Sequence, residues 1–124
     1  MRATATRLEK KSFSSPDEVR SIPRAKAEFV KVGDRTIMRG TYEPGWRWSE
    51  HMKPVVGTES CEGHHLIYMV SGRMRVAVKG GEEVESGPGD IVEVPPGHDA
   101  WVVGKEPAVL VDFLVGETYA KRHD

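Results

Sequence analysis

Past Pro23 the chain never sustains a helical period; it breaks every few residues at glycine or proline. Runs of β-strand character lie at 27–32, 36–42, 46–52, 65–71, 74–79, 82–86, 91–94 and 100–103. Between them stand Gly33-Asp34, Pro44-Gly45, an irregular stretch over 54–63, Gly72, Gly80-Gly81, Gly87-Pro88-Gly89 and Pro95-Pro96-Gly97. Many short strands at this spacing with such turns select a sandwich or a barrel. Gly80-Gly81 predicts a tight hairpin, because both turn positions tolerate positive φ. Arg73, Arg75 and Ala77 alternate with Met74, Val76 and Val78, the period of a half-buried strand. The last apolar run, 108–115, reads as a strand buried on both faces. Ahead of all this, Ser15-Pro16-Asp17-Glu18 has the form of a helix start, with Pro16 at the first helical position. Pro23 must end that helix early. The fold class is therefore all-β with a short N-terminal helix.

With 124 residues there is room for one domain with a real core. Residues 1–14 form an irregular basic arm and 15–124 the single domain. A formal net charge of −1 supplies no pull toward nucleic acid or a membrane surface, so neither is expected as a partner. Cys61 is the single cysteine, which excludes an internal disulfide and fits a reducing compartment. The opening residues have basic groups without an apolar run, and no stretch has the length of a membrane span, so a cytoplasmic protein is expected.

Two segments resemble the paired signature motifs of the cupin family. In the first, Gly45 precedes His51 with five residues between them, and Gly72 closes the motif after HLIYMVS at 65–71. The second is GDIVEVPPGHDAW at 89–101, where Gly89, Pro95 and Gly97 keep the family spacing. The resemblance covers roughly 36–115 and implies a double-stranded β-helix barrel of the jelly-roll kind, usually a homodimer. It also implies a metal site, but the family's three-histidine, one-glutamate set does not carry over. His51 matches the first histidine, Lys53 stands at the second, His65 at the glutamate, and Ala100 at the last histidine.

The histidines number five: His51, His64, His65, His98 and His123. His51 and His65 point inward by analogy with the motif, and His98 shares a strand face with Ala100 if the alternation already holds there. Imidazoles suit Zn, Fe or Ni, and Cys61 adds a soft thiolate that favours tetrahedral zinc. The expected metal set is thus His51, His65, His98 and Cys61, holding a divalent ion, Zn, Fe, Mn or Ni. The plainer reading of Cys61 is a small buried hydrophobe. His64 should point away from His65, and His123 should be solvated. Lys53 is either a counter-ion for an anionic substrate or an exposed lysine. Trp46 and Trp48 share the face opposite His51 and are expected outside the pocket, while Glu50 and Asp99 are expected at the surface.

Three functions stay open. One is a metal-dependent enzyme of the dioxygenase, isomerase or cyclase type acting on a small molecule. Another is a non-catalytic module that binds or senses a small ligand. The last is metal-free acid–base catalysis of the epimerase kind, with His51 or His65 as base.

Overall fold

The computed structural model describes residues 8–116 and Tyr119. Strands β1 (Glu18–Ile22), β2 (Ala25–Val32), β3 (Arg35–Tyr42), β4 (His65–Ser71), β7 (Ile91–Val94) and β9 (Ala108–Asp112) build one sheet, in the order β1-β2-β3-β9-β4-β7. Strands β5 (Arg73–Val78), β6 (Glu83–Ser86) and β8 (His98–Val103) build the other, in the order β6-β5-β8. Every strand pair in both sheets is antiparallel. The two faces that meet supply the core: Met38 and Tyr42 from β3, Ile67 and Met69 from β4, Leu110 from β9, and Met74, Val76, Ala100 and Val102 from β5 and β8. Strict alternation achieves this, since residues two apart share a face. In β5 the buried residues are Met74 and Val76, as the sequence implies.

The chain departs from expectation in three places. Glu18–Ile22 is a strand, β1, and not a helix; it pairs with β2 along its whole length. A helix stopped by Pro23 would be too short to hold itself, whereas pairing along β2 satisfies the backbone and buries part of Arg20 and Ile22. Asp17 serves that edge, accepting the Lys31 backbone N–H at 2.8 Å.

The second departure is at 46–56, where a strand and an irregular stretch were expected. Trp48–Met52 is a single π-helical turn that runs into a one-turn helix, α1 (Lys53–Val56). Trp48, Met52 and Val56 are its buried residues, and their spacing of four is a helical stripe. Gly57 ends it at φ 84°, its N–H donating to the Lys53 carbonyl at 2.8 Å, a left-handed cap that glycine adopts without strain.

Third, β9 stops at Asp112 and is buried on one face only, with Phe113 and Leu114 exposed beyond it. Among the described residues no helix is long and apolar enough to cross a membrane.

Candidate metal centre

Cys61 is brought to His98 by the backbone. Its N–H donates to the His98 carbonyl at 2.9 Å, and its carbonyl accepts the Gly97 N–H at 2.7 Å. Gly97 sits at φ 88° in the turn that follows Pro95 and Pro96, and this turn lets β8 start with His98 facing inward beside Ala100. His65 is the first residue of β4 and lies opposite Val94, the last residue before the same turn. Three separate stretches of chain therefore converge on one point.

The side chains there are almost wholly out of solvent: Cys61 is 7%, His65 6% and His98 4% exposed. Cys61 Sγ lies 3.4 Å from His65 Nε2, and one ligand atom from each of Cys61, His65 and His98 lies within 4.8 Å of the others. Both imidazoles are fixed from behind. His65 Nδ1–H donates to Asp112 Oδ2 at 2.6 Å, and His98 Nδ1–H donates to the Pro95 carbonyl at 2.7 Å. Each ring is thereby oriented with Nδ1 on its outer acceptor and Nε2 turned toward the cluster, the orientation that metal-binding histidines take when an outer acceptor holds them.

Asp112 is fully buried, which a bare carboxylate would not tolerate. Besides the imidazole it accepts the backbone N–H groups of Leu66, Leu114 and Val115, at 3.3, 3.1 and 3.3 Å. This set of donors keeps a charge stable away from water.

Proton affinities follow from the contacts. Burial pushes the Cys61 thiol up, but the hydrogen bonds and charges of His65 and His98 outweigh it and bring it down to about 6. Burial pulls His65 down, yet the bonds to Asp112 and Cys61 carry it up to about 9. Near neutral pH the pair is a thiolate facing an imidazolium.

The cluster opens into a cavity inside the barrel, walled also by Tyr42, Trp46, Trp48 and Tyr119. Tyr42 and Tyr119 share a hydrogen bond of 2.6 Å between their hydroxyls, and burial pushes the pKa of each above the usual phenol value. Gly40 makes room for this pair, since a Cβ there would lie 2.5 Å from the Tyr42 ring. Arg20 on β1 donates to the Tyr119 carbonyl and fixes the other tyrosine.

Of the expected ligands, Cys61, His65 and His98 come together, and His51 does not join them. It sits in the π-turn, where its Nδ1 accepts the Arg47 backbone N–H at 3.0 Å. The same nitrogen lies 3.2 Å from the Arg47 carbonyl. His64 is exposed beside Glu93 at 3.0 Å, and His123 lies outside the described residues. Lys53 is half-buried and paired with Glu59 at 3.0 Å. Trp46 and Trp48 are buried at the cavity and not outside it, because Arg47 between them is extended and bridges to Trp101, which leaves the two indoles on the inward face. Trp101 faces outward under the Arg47 guanidinium, 4.2 Å from it. Asp99 caps the π-turn, accepting the Ser49 N–H at 3.0 Å. Asp112, Tyr42 and Tyr119 are the site residues the sequence reading missed. For Asp112 a signal existed: it is the acidic member of the alternating set Ala108, Leu110, Asp112 in an apolar run.

A family model for the cupin domain matches residues 40–114. No curated protein matches the sequence. Among solved structures, a protein of unknown function from Rhizobium leguminosarum bv. viciae is 24% identical, covering 90% of this chain and 100% of its own, with a TM-score of 0.65. The cupin domain of Schizosaccharomyces pombe Cnp3 is 18% identical over 90% of this chain and 77% of its own, with a TM-score of 0.61. The polyketide cyclase RemF from Streptomyces resistomycificus is 15% identical over 90% and 81%, with a TM-score of 0.62. At these identities the likeness is one of fold.

Proposed function

Because the chain belongs to the cupin family, we propose that its barrel holds one divalent metal ion on Cys61, His65 and His98 and presents it to a small molecule in the cavity. The observation that carries this reading is the pair of imidazoles, each anchored through Nδ1 with Nε2 left for the ligand cluster. The donor set fits such an ion. One thiolate and two imidazoles suit zinc or iron and are a poor match to magnesium or calcium. Ligands on adjacent corners of a tetrahedral zinc site lie about 3.4–3.6 Å apart, and Cys61 Sγ to His65 Nε2 is 3.4 Å. Three protein ligands beside a cavity is the pattern of a site that leaves a position for substrate. A metal bound there supplies Lewis-acid polarisation of a ligand oxygen.

The protein's own groups do the rest. Asp112 keeps His65 in the ligating orientation, the buried wall excludes bulk water, and Tyr42 and Tyr119 stay protonated as neutral donors. Cyclase, isomerase and dioxygenase chemistry all begin from such a site, and the likeness to RemF gives the cyclase class a place among the substrates to screen. The protein is further proposed to be cytoplasmic and to form a homodimer. Tyr68, Val70 and Ile91, exposed together on the outer face of the larger sheet, support the dimer.

The test is metal content by elemental analysis after reconstitution with Zn(II), and the visible spectrum of the Co(II) form. Near one equivalent is expected in the wild type and in His51→Ala, with loss in Cys61→Ser and His98→Gln. A thiolate-to-cobalt charge-transfer band should accompany the wild type. A wild type that takes up neither ion sinks the metal reading and leaves acid–base chemistry at His65 as the alternative, supported by its contacts to Cys61 and Asp112.

A further inference from the structure

Trp46 is 2% exposed, and its indole N–H has no acceptor among the described residues. An unpaired buried donor is destabilising, so a fold keeps one where something else accepts it. Trp46 lines the same cavity as the cysteine–histidine cluster and packs against Tyr42, ring centroids 4.5 Å apart. The tyrosine pair next to it has a surplus of the same kind. Two hydroxyls carry two protons, and the 2.6 Å bond between them uses one. The second proton has no other acceptor among the described residues. Two neutral donors thus face a cavity whose other polar groups are the metal-site residues.

The charge on the walls narrows what would accept from them. No lysine or arginine lines the cavity, and the buried Asp112 carboxylate does. An anion entering would meet no lysine or arginine there, while the Asp112 carboxylate lies buried beside His65. Size narrows it again. The space open to the centre of a water-sized sphere is about 30 Å3, against roughly 10–15 Å3 for one water, so a group of only a few heavy atoms fits.

We propose that Trp46 Nε1–H and the free hydroxyl proton of the Tyr42–Tyr119 pair form a donor subsite for an uncharged oxygen acceptor, so that the ligand enters this cavity through a small carbonyl or amide group and not a carboxylate or phosphate. This rests on the cavity being the ligand site, and the comparison of acetamide with acetate is read in EDTA, because a bound metal would itself take a carboxylate.

The experiment is a two-dimensional 1H–15N NMR titration of full-length protein, following the three indole N–H signals. Acetamide and acetate, equal in shape and different in charge, are the probes. The Trp46 signal is assigned by its disappearance in Trp46→Phe, or by elimination with Trp48→Phe and Trp101→Phe if that variant does not fold. The expected result is a saturable downfield movement of the Trp46 signal with acetamide, and an acetate affinity at least about tenfold weaker. A Trp46 signal that does not move at molar acetamide, or one that acetate moves equally well, overturns the subsite. The titration is run with EDTA and again with one equivalent of zinc. Zinc uptake with an unresponsive Trp46 rejects the subsite and leaves the metal reading standing; a responsive Trp46 in protein that takes no zinc does the reverse.

Discussion

Residues 61–65 and 97–98 reach the cavity through backbone bonds that cross between distant parts of the chain, whereas residues 47–57 bond largely to themselves. Cys61 and Gly97–His98 exchange N–H and carbonyl groups, and His65 is locked from the far side by Asp112, 47 residues away. In the other stretch Glu50 and His51 both donate to the Arg47 carbonyl, and Gly57 donates to Lys53. Its outside ties go to one neighbour, β8, through Trp46, Arg47 and Ser49. Both stretches carry a histidine at a family motif position, yet only the cross-linked one brings its histidines into a cluster. Position in a motif delivers a side chain to a site only if the backbone around it is a strand in the expected register. One added helical turn after Arg47 leaves His51 off the cluster.

If that contrast is right, damage to the cross-linked region should be severe. The largest effect is expected from Asp112→Ala. It strips the acceptor from three part-buried backbone N–H groups and from the buried His65 imidazole, and should cost about 3–5 kcal/mol of unfolding free energy. Urea denaturation measures it, and a loss under about 1 kcal/mol would remove Asp112 from the centre of the argument.

Next comes a pH effect with a definite sign, read in EDTA. Unfolded, His65 titrates at 6.5 and Cys61 at 9.0; folded, they move to about 9 and about 6. Between pH 6.5 and 9 the folded His65 holds a proton that the unfolded one has lost, so its contribution falls as pH rises. Over the same window folded Cys61 has lost a proton that the unfolded one keeps, so its contribution is lost as pH falls. The two slopes cancel, and the wild type should be flat across the window. In Cys61→Ser only the His65 slope remains, reduced by the loss of the Cys61 contact but still sustained by Asp112, and stability should fall as pH rises from about 6.5 to about 8.5. A variant as flat as the wild type would mean that the pair does not share charge in the folded protein.

How much of this was legible beforehand follows the same division. The strands from β2 onward show in the sequence because alternation and Gly/Pro punctuation are local, and the turn at 95–97 shows because its residues have restricted backbones. Cys61 and His98 were visible as donors, but their backbone pairing was not, since it joins positions that no pattern connects. The helical turn left a trace that alternation obscured: Trp48, Met52 and Val56 repeat at four, while Trp46 and Trp48 repeat at two. β1 was hidden behind helix-start chemistry at Ser15–Glu18, and pairing with β2 overrode it. Tyr42 reads as an ordinary strand residue, and nothing near it in sequence points to Tyr119.

The turn that joins the two ligands should respond more mildly than the ligands themselves. Gly97 is at φ 88°, with nothing within 4 Å of where a Cβ would go. Gly97→Ala should therefore pay only the backbone strain of the left-handed region, about 1–2 kcal/mol, and retain zinc with weakened affinity. Loss of folding altogether would show that the turn does more than aim His98.

The smallest effect is expected at His51, and it tests the contrast most directly. Its ring is half-buried, and its one well-defined contact is the 3.0 Å bond accepted from the Arg47 N–H. Removing it in His51→Ala frees that N–H in a turn already held by the Asp99 cap and by the buried Trp48 and Met52. The cost should be that of a single local hydrogen bond, about 0.5–1.5 kcal/mol. Zinc content and the cobalt spectrum should be unchanged, because no ligand contact is lost. If zinc is lost while the variant stays folded, the π-turn must rearrange when metal binds, and His51 would then have to come into the cluster. The contrast between the two stretches would hold for the empty barrel only.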